Sequence, residues 1–182
     1  EINEKLAEEI IDAEPSWLTV PVEKKNNYYK SIKDIKIKDP NLLKLKHSDI
    51  IKNAYQKSRN FENIFPSLLE IYNKNHKFLI DLNIDFINLF CDYLDVKINT
   101  KFSSEFKINS SKSDRLIELL QINNAKDYLT GIPSKSYLDQ ILFERKNINI
   151  NWHILDEKNY KKKYKYFNKN LSTLDFIMNK ND

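Results

Sequence analysis

Residues 125–155, AKDYLTGIPSKSYLDQILFERKNININWHIL, decide the fold class because they predict a strand, a helix and a second strand in succession. AKDYLTG (125–131) predicts a short strand that ends at Gly131, the single glycine in 182 residues. KSYLDQILFER (135–145) predicts a helix, and ININWHIL (148–155) predicts the next strand. Such a succession almost always forms a parallel strand pair with a right-handed crossover.

The preceding residues extend this pattern to β-α-β-α-β. VKINTKFSS (96–104) alternates apolar and polar residues and predicts a further strand. SSKSDRLIELLQINN (110–124) predicts a helix in which Ser111 and Asp114 have the spacing of a capping box. Asn124 can end that helix in the left-handed backbone region that glycine usually takes.

The N-terminal half predicts a hairpin followed by helices. SWLTVPV (16–22) and SIKDIKI (31–37) predict two strands joined by a polar turn. From residue 41 to residue 94 the apolar period becomes helical and predicts three helices. The expected fold class is α/β: a mixed sheet with an N-terminal hairpin, a central helical segment and a C-terminal β-α-β-α-β parallel unit. Since no linker or repeat interrupts the chain, we expect a single domain over residues 1–182.

Composition narrows the class of protein. Hydrophobic residues make up 41% and aromatic residues 12%, which is typical of a folded globular chain. No apolar run approaches the roughly 18 residues of a membrane-spanning helix, and the acidic first residues do not fit a signal peptide. The lone Cys91 excludes an internal disulfide, so we expect a cytoplasmic protein. A formal charge of +4, from 30 basic and 26 acidic residues, gives no indication of nucleic-acid binding.

Polar residues follow two of the predicted parallel strands, and ligands bind beyond the carboxyl ends of strands in open sheets. Thr130 and Gly131 end one strand, and a glycine there lets the backbone turn sharply and lets a ligand approach closely. The helix after the other strand would present free N–H groups to a phosphate or carboxylate. A plain turn glycine and an ordinary helix cap explain the same pattern equally well. The candidates after that strand and at that helix start are Ser103, Ser104, Glu105, Ser111, Asp114 and Arg115.

The three histidines, His47, His76 and His153, lie too far apart in sequence for a metal site, so no metal is predicted. His47 is the best candidate general base among them, because we expect it to precede a helix and because imidazole exchanges protons near neutral pH. The tail NYKKKYKYFNK (159–169) mixes lysines with tyrosines, a composition that suits single-stranded nucleic acid. A solvated surface run explains the tail better.

The ordered motifs SSEF (103–106), SDRLIELL (113–120), DYLTG (127–131) and SYLD (136–139) resemble the WbqC-like family of bacterial surface-polysaccharide gene clusters. The resemblance runs from about Trp17 to the C-terminus. Further matches to the family pattern are WLTVPV (17–22), His47, Tyr55, DLN (81–83), Tyr128, Tyr137 and Asp175.

The departures from the family pattern also carry expectations. Asp95, Asn124 and Asn181 stand at positions where family members often have glycine. Gly131, in contrast, is a glycine here as well, so we expect that a Cβ at this position would clash. The family's usual head, rich in Gln, Pro, Tyr and Trp and followed by Asn-Arg-Asn, is absent, which predicts that the chain is a fragment.

The resemblance implies a transferase that attaches a small acyl or aminoacyl group to an amino sugar during O-antigen (lipopolysaccharide) synthesis. Its partners would be a sugar nucleotide or a lipid-linked sugar and an activated acyl donor, which no sequence feature identifies; the cofactor is likewise unknown. His47, Glu105 and Asp114 are the candidate catalytic bases. The candidate substrate-binding residues are Ser103, Ser104, Ser111, Arg115, Tyr128, Thr130, Gly131 and Tyr137. The alternatives are a non-catalytic nucleotide-sugar-binding module, which the missing head favours, and an interaction protein that uses the lysine-tyrosine tail.

Overall fold

The computed structural model describes residues 17–23, 30–154 and 171–180. They form two compact units, a larger one from residues 17–23, 30–98 and 171–180 and a smaller one from residues 99–154. The single domain over residues 1–182 stays a prediction. No helix in the described ranges is long and apolar enough to cross a lipid bilayer. The elements are α1 (Pro40–Tyr55), α2 (Phe61–Asn73), α3 (Leu79–Tyr93), α4 (Lys112–Ile122), β1 (Asp127–Gly131), α5 (Gln140–Arg145), β2 (Asn149–His153) and α6 (Thr173–Asn179).

The larger unit is a helical assembly of α1, α2, α3 and α6 around one apolar core. Helix α1 begins at Pro40 because the Asp39 carboxylate accepts a hydrogen bond from the Leu42 amide at 2.9 Å, which caps the helix. The three helices predicted between residues 41 and 94 are confirmed. The buried core residues are Ile37, Leu43, Ile51, Phe61, Ile64, Leu68, Ile71, Tyr72, Leu82, Leu174, Ile177 and Met178.

The predicted N-terminal hairpin is reduced to a single antiparallel bridge between Val22 and Ile37. Two backbone hydrogen bonds flank it: the Glu23 amide donates to the Lys36 carbonyl, and the Lys38 amide donates to the Pro21 carbonyl. Pro21 has no N–H to extend a ladder, Trp17 is 92% exposed, and within the described ranges residues 17–20 form no backbone–backbone hydrogen bond. The expectation of two full strands is therefore wrong, and the expected turn at residues 24–29 lies outside the described residues.

The smaller unit is built on the parallel pair β1–β2, which confirms the central strand–helix–strand prediction. The register runs from Asp127 opposite Asn149 to Gly131 opposite His153. One face of the pair is buried and the other faces solvent, as the alternating exposure along β2 shows. The core under the buried face consists of Ile117, Leu138, Phe143 and Ile148, with Tyr128, Ile150 and Trp152 packed against it.

Two details of the predicted β-α-β-α-β unit are wrong. Residues 96–102 form no strand, and Val96 and Ile98 are each 48% exposed, so the alternation of apolar and polar residues does not correspond to a buried strand face. The helix predicted over 135–145 is divided into a 3₁₀ turn, Ile132–Ser136, and α5. The division arises because the Asp139 carboxylate accepts from the Leu142 amide at 3.0 Å and so starts a new helix.

Left-handed backbone occurs without glycine in this chain. Asp95 and Asn124 both have φ of 52°, a backbone conformation that glycine adopts most readily. This confirms the expectation that these two positions suit glycine. Gly131 ends β1 as predicted but has φ of −81°, an extended backbone that any residue adopts. A Cβ built on Gly131 would meet the Pro133 side chain at 3.5 Å, an ordinary contact. The expectation that a Cβ would clash at Gly131 is therefore wrong.

His47 lies within α1, not before a helix as predicted, and joins three segments of the larger unit. Its Nε2 donates to the Thr19 carbonyl at 3.1 Å, and its Nδ1 accepts from the Tyr72 hydroxyl at 2.9 Å. Burial lowers the pKa of the His47 imidazole, and the hydrogen bond to Thr19 only partly offsets this. Burial also raises the pKa of Tyr72, so the phenol keeps its proton and donates a hydrogen bond to His47. Both ring nitrogens of the neutral imidazole are thus engaged.

We expect Gly131→Ala to leave the free energy of unfolding unchanged or to raise it by up to about 1 kcal/mol, because alanine fits the backbone and restricts the unfolded chain. Asn124→Ala should lower it by about 1 kcal/mol, because alanine is strained at positive φ, whereas Asn124→Gly should be tolerated. Urea denaturation of the three variants measures these changes. A large loss in Gly131→Ala would show that the strand end is more crowded than described.

We expect the free energy of unfolding to fall as the pH decreases below about 6.5, the ordinary histidine pKa. Burial keeps His47 neutral in the folded protein, so the unfolded chain binds more protons in this pH range. Lowering the pH therefore stabilises the unfolded state relative to the folded state. His47→Gln should flatten this slope, and His153→Gln, at an exposed position, is the matched control. Denaturation series between pH 7.5 and 5.5 measure both slopes. Equal slopes in wild type and His47→Gln would contradict a neutral His47.

Candidate functional site

Three hydroxyl groups form a continuous hydrogen-bonded chain at the carboxyl end of β1. The Thr130 and Ser134 hydroxyls are 2.7 Å apart, and the Ser134 hydroxyl lies 2.9 Å from the Tyr137 phenol oxygen. Thr130 belongs to β1, and Ser134 lies in the 3₁₀ turn that follows, three residues before Tyr137 and therefore on the same side. Ser134 is buried while Tyr137 is 66% exposed. The hydroxyl chain, as we call these three residues, thus leads from the interior to the surface.

An aromatic ring and a positive charge border the hydroxyl chain. The parallel register places Trp152 of β2 opposite Thr130, so both side chains lie on the same face of the strand pair. The Lys135 ammonium sits 5.1 Å from the centroid of the Trp152 ring, in a cation–π contact. This arrangement offers directional hydroxyl groups, an indole edge and one cation within a few residues of one strand end.

The other residues at this strand end do not join the hydroxyl chain. Tyr128 packs its ring 5.4 Å from that of Phe143 and belongs to the core of the smaller unit. Gly131 contributes only backbone. His153 pairs with Gly131 in the register, but strand alternation places its side chain on the opposite, exposed face.

Ser103, Ser104 and Glu105 form an exposed 3₁₀ turn instead of ending a strand. The reason for expecting them to share a sheet edge with Thr130 is therefore lost. Ser103 instead lines an open cleft of about 430 Å³ in the smaller unit. Its other lining residues are Asn99, Lys101, Phe106, Leu119 and Asn123.

The start of α4 differs from the predicted capping box. Ser111 precedes the helix but its side chain caps no amide, and Lys112 takes a left-handed backbone with φ of 52°, which a capping-box entry does not have. Asp114 is exposed in the first turn. The Arg115 guanidinium reaches the Ile108 carbonyl at a long 3.5 Å. The phosphate-binding roles predicted for Ser111 and Arg115 stay predictions.

His47 belongs to the larger unit, whereas the remaining predicted site residues belong to the smaller one. A catalytic role for His47 would require it to release Thr19 or Tyr72 first. Another polar pair of the larger unit joins α1 to α6: the Tyr55 hydroxyl donates to the Asp175 carboxylate at 3.2 Å. Burial raises the pKa of Asp175, and the hydrogen bond from Tyr55 only partly opposes this. The pair links α1 to α6 within the larger unit.

Sequence reasoning missed Ser134, Lys135 and Trp152. The sequence pattern puts Ser134 in the loop before a predicted helix and Lys135 at the start of that helix. The three-residue spacing of Ser134 and Tyr137, which brings their side chains together in a 3₁₀ turn, is the signal that could have identified Ser134. Trp152 could be found only from the register of β1 against β2, which the sequence does not specify. Within the described part of the chain, no group of three His, Cys, Asp or Glu side chains could hold a metal ion.

Comparison with known proteins places the chain in a family. A model of the WbqC-like protein family matches residues 8–182. The uncharacterized protein Rv1507c of Mycobacterium tuberculosis (strain ATCC 25618 / H37Rv) is 28% identical over 165 residues, which cover 90% of this chain and 71% of the relative. No solved structure matches the chain. Because the family model extends over nearly the whole sequence and agrees with its ordered motifs, the chain belongs to the WbqC-like protein family.

Proposed function

We propose that the protein is a cytoplasmic transferase of bacterial surface-polysaccharide (O-antigen) synthesis, which attaches an acyl or aminoacyl group to the amine of an amino sugar. The hydroxyl chain beside the lysine-covered Trp152 carries this proposal. Membership in the WbqC-like family supports the pathway.

The hydroxyl chain suits a sugar nucleotide or a lipid-linked sugar phosphate. Tyr137 is the exposed end of the chain, and its phenol can both donate to and accept from a sugar hydroxyl. Its direction is set by Ser134, whose buried hydroxyl already has two partners. Lys135 supplies a positive charge for a phosphate oxygen, and its contact with Trp152 limits the positions of the ammonium group.

The transfer needs a base for the sugar amine. The sugar nitrogen forms a bond to the acyl carbon of a thioester or an acyl adenylate, and the carbon–sulfur or carbon–oxygen bond breaks as thiolate or AMP leaves. The proton lost from the nitrogen passes to a carboxylate and then to water. Glu105 and Asp114 are exposed carboxylates of the same unit and are the candidates for this step, because His47 has both ring nitrogens occupied.

A nucleotide-sugar-binding module without catalysis is the second candidate. The observation that favours it is the composition of the site: the hydroxyl chain contains no carboxylate or imidazole, and Lys135 is its one neighbouring charge among the contacts described. Such a module would bind the sugar and transfer nothing.

We expect Tyr137→Phe to weaken binding of an amino-sugar nucleotide by about 3- to 10-fold, the value of one hydrogen bond. Ser134→Ala should weaken it similarly by releasing Tyr137. Ser136→Ala is the matched control, because Ser136 bonds only the nearby Pro133 carbonyl and is exposed. Isothermal titration calorimetry with a panel of uridine- and thymidine-linked amino sugars measures the affinities. Equal affinity in wild type and Tyr137→Phe would rule out this placement of the sugar.

A transfer assay separates the two candidate functions. The protein is incubated with the best-bound sugar nucleotide and a set of acyl and aminoacyl thioesters and adenylates, and mass spectrometry detects an acylated sugar. We expect product with at least one donor, and Glu105→Gln or Asp114→Asn should abolish it while binding remains. Binding without product for every donor would favour the non-catalytic module.

A further inference from the structure

We propose that the open cleft of the smaller unit binds a neutral sugar ring, a second saccharide residue of the acceptor. The cleft is lined by Asn99, Lys101, Ser103, Phe106, Leu119 and Asn123 and has a volume of about 430 Å³. That volume lies within the range of roughly 300–1,000 Å³ for small-molecule sites. The identification of this sugar as part of an acceptor rests on the proposed function, whereas the binding itself rests on the cleft.

The polar side of the cleft is held by a hydrogen-bonded brace at the end of α4. The Lys101 ammonium donates to the Asn123 amide oxygen at 2.7 Å, and the Asn123 amide nitrogen donates to the Leu119 carbonyl at 2.8 Å. An ammonium has three N–H groups and a side-chain amide has two, so both retain donors for a ligand. The brace thus fixes two donors in advance of binding, which reduces the entropy lost when a ligand binds.

Two further polar side chains of the cleft remain available. Asn99 and Ser103 are exposed, and neither has a side-chain hydrogen bond to any residue that the structure describes. An amide both donates and accepts, as a hydroxyl does, which matches the neighbouring hydroxyl groups of a sugar. The remaining lining residues, Phe106 and Leu119, are apolar and half-buried. A pyranose combines a polar edge with an apolar C–H face, so it uses both kinds of surface.

The charge of the cleft favours a neutral ligand over a phosphate. Lys101 is the single charged residue of the lining. Its ammonium lies at the C-terminal end of α4, bonded to Asn123, where the helix carries a partial negative charge of about half an elementary charge. That partial charge opposes a bound anion and offsets much of the attraction to Lys101. The cleft therefore differs from the hydroxyl chain, where Lys135 lies over an uncharged indole.

The test is a titration of the ¹⁵N-labelled protein with N-acetylglucosamine, its β-linked disaccharide and inorganic phosphate, followed by NMR. We expect the sugars to shift the backbone and side-chain amides of Asn99 and Asn123. Asn99→Ala and Phe106→Leu should weaken disaccharide binding at least 3-fold. Asn109→Ala, an exposed asparagine of the same unit outside the cleft, should leave it unchanged.

Several outcomes would overturn the proposal. One is the absence of chemical-shift changes at the cleft with either sugar at 20 mM, and another is unchanged disaccharide affinity in both cleft variants. A third is a chemical-shift change at Lys101 with phosphate alone, because that result would make the cleft an anion site. If sugar-nucleotide binding depends on Tyr137 but neither sugar shifts the amide signals of the cleft, this inference is refuted and the proposed function is not. Disaccharide binding at the cleft, with sugar-nucleotide affinity unaffected by Tyr137→Phe, would support the cleft and refute the placement at the hydroxyl chain.

Discussion

The parallel pairing of β1 with β2 is the constraint on which the smaller unit depends. This strand pair buries one face, and the register from Asp127–Asn149 to Gly131–His153 decides which side chains that face contains. A slip of β2 by one residue would turn Ile150 and Trp152 outward and expose part of the core around Phe143. The same register sets Thr130 beside Trp152, so the packing that stabilises the unit also assembles the candidate site.

The buried end of the hydroxyl chain follows from this packing. Ser134 lies under the strand end, and a buried hydroxyl without a partner costs about 1–3 kcal/mol. Thr130 and Tyr137 supply the two partners that Ser134 needs, so the chain is stable before any ligand binds. A hydroxyl chain satisfied internally is a positioning device. It orients the exposed phenol of Tyr137. Because it contains no strongly basic group, the proton of a sugar amine would have to pass to a carboxylate elsewhere in the unit.

The sequence predicted those features that local pattern controls. The helices between residues 41 and 94, the left-handed turn at Asn124 and the parallel pair follow from periodicity and residue type. The left-handed turn at Asp95 follows from the family resemblance. Features that depend on a distant partner were not predictable. VKINTKFSS alternates as well as β2 does but forms no strand, because alternation alone does not specify a pairing partner. Ser111 has capping-box spacing, but Lys112 gives the helix a different entry. For the site, Thr130 is predicted from its position at a strand end and Tyr137 from the family resemblance, whereas Trp152 required the register.

The position of Gly131 shows why a residue type alone is weak support for a ligand site. In a chain whose described left-handed positions hold Asn, Asp and one Lys, the single glycine occupies an extended backbone with room for a side chain. Among the described residues of the smaller unit, none packs in a way that requires glycine at this position. If glycine is needed, the requirement comes from a molecule that approaches the strand end on the exposed face that Gly131 shares with His153, opposite to the face of the Thr130 side chain. An alanine that preserves stability but weakens sugar binding would then separate the needs of the fold from those of the ligand.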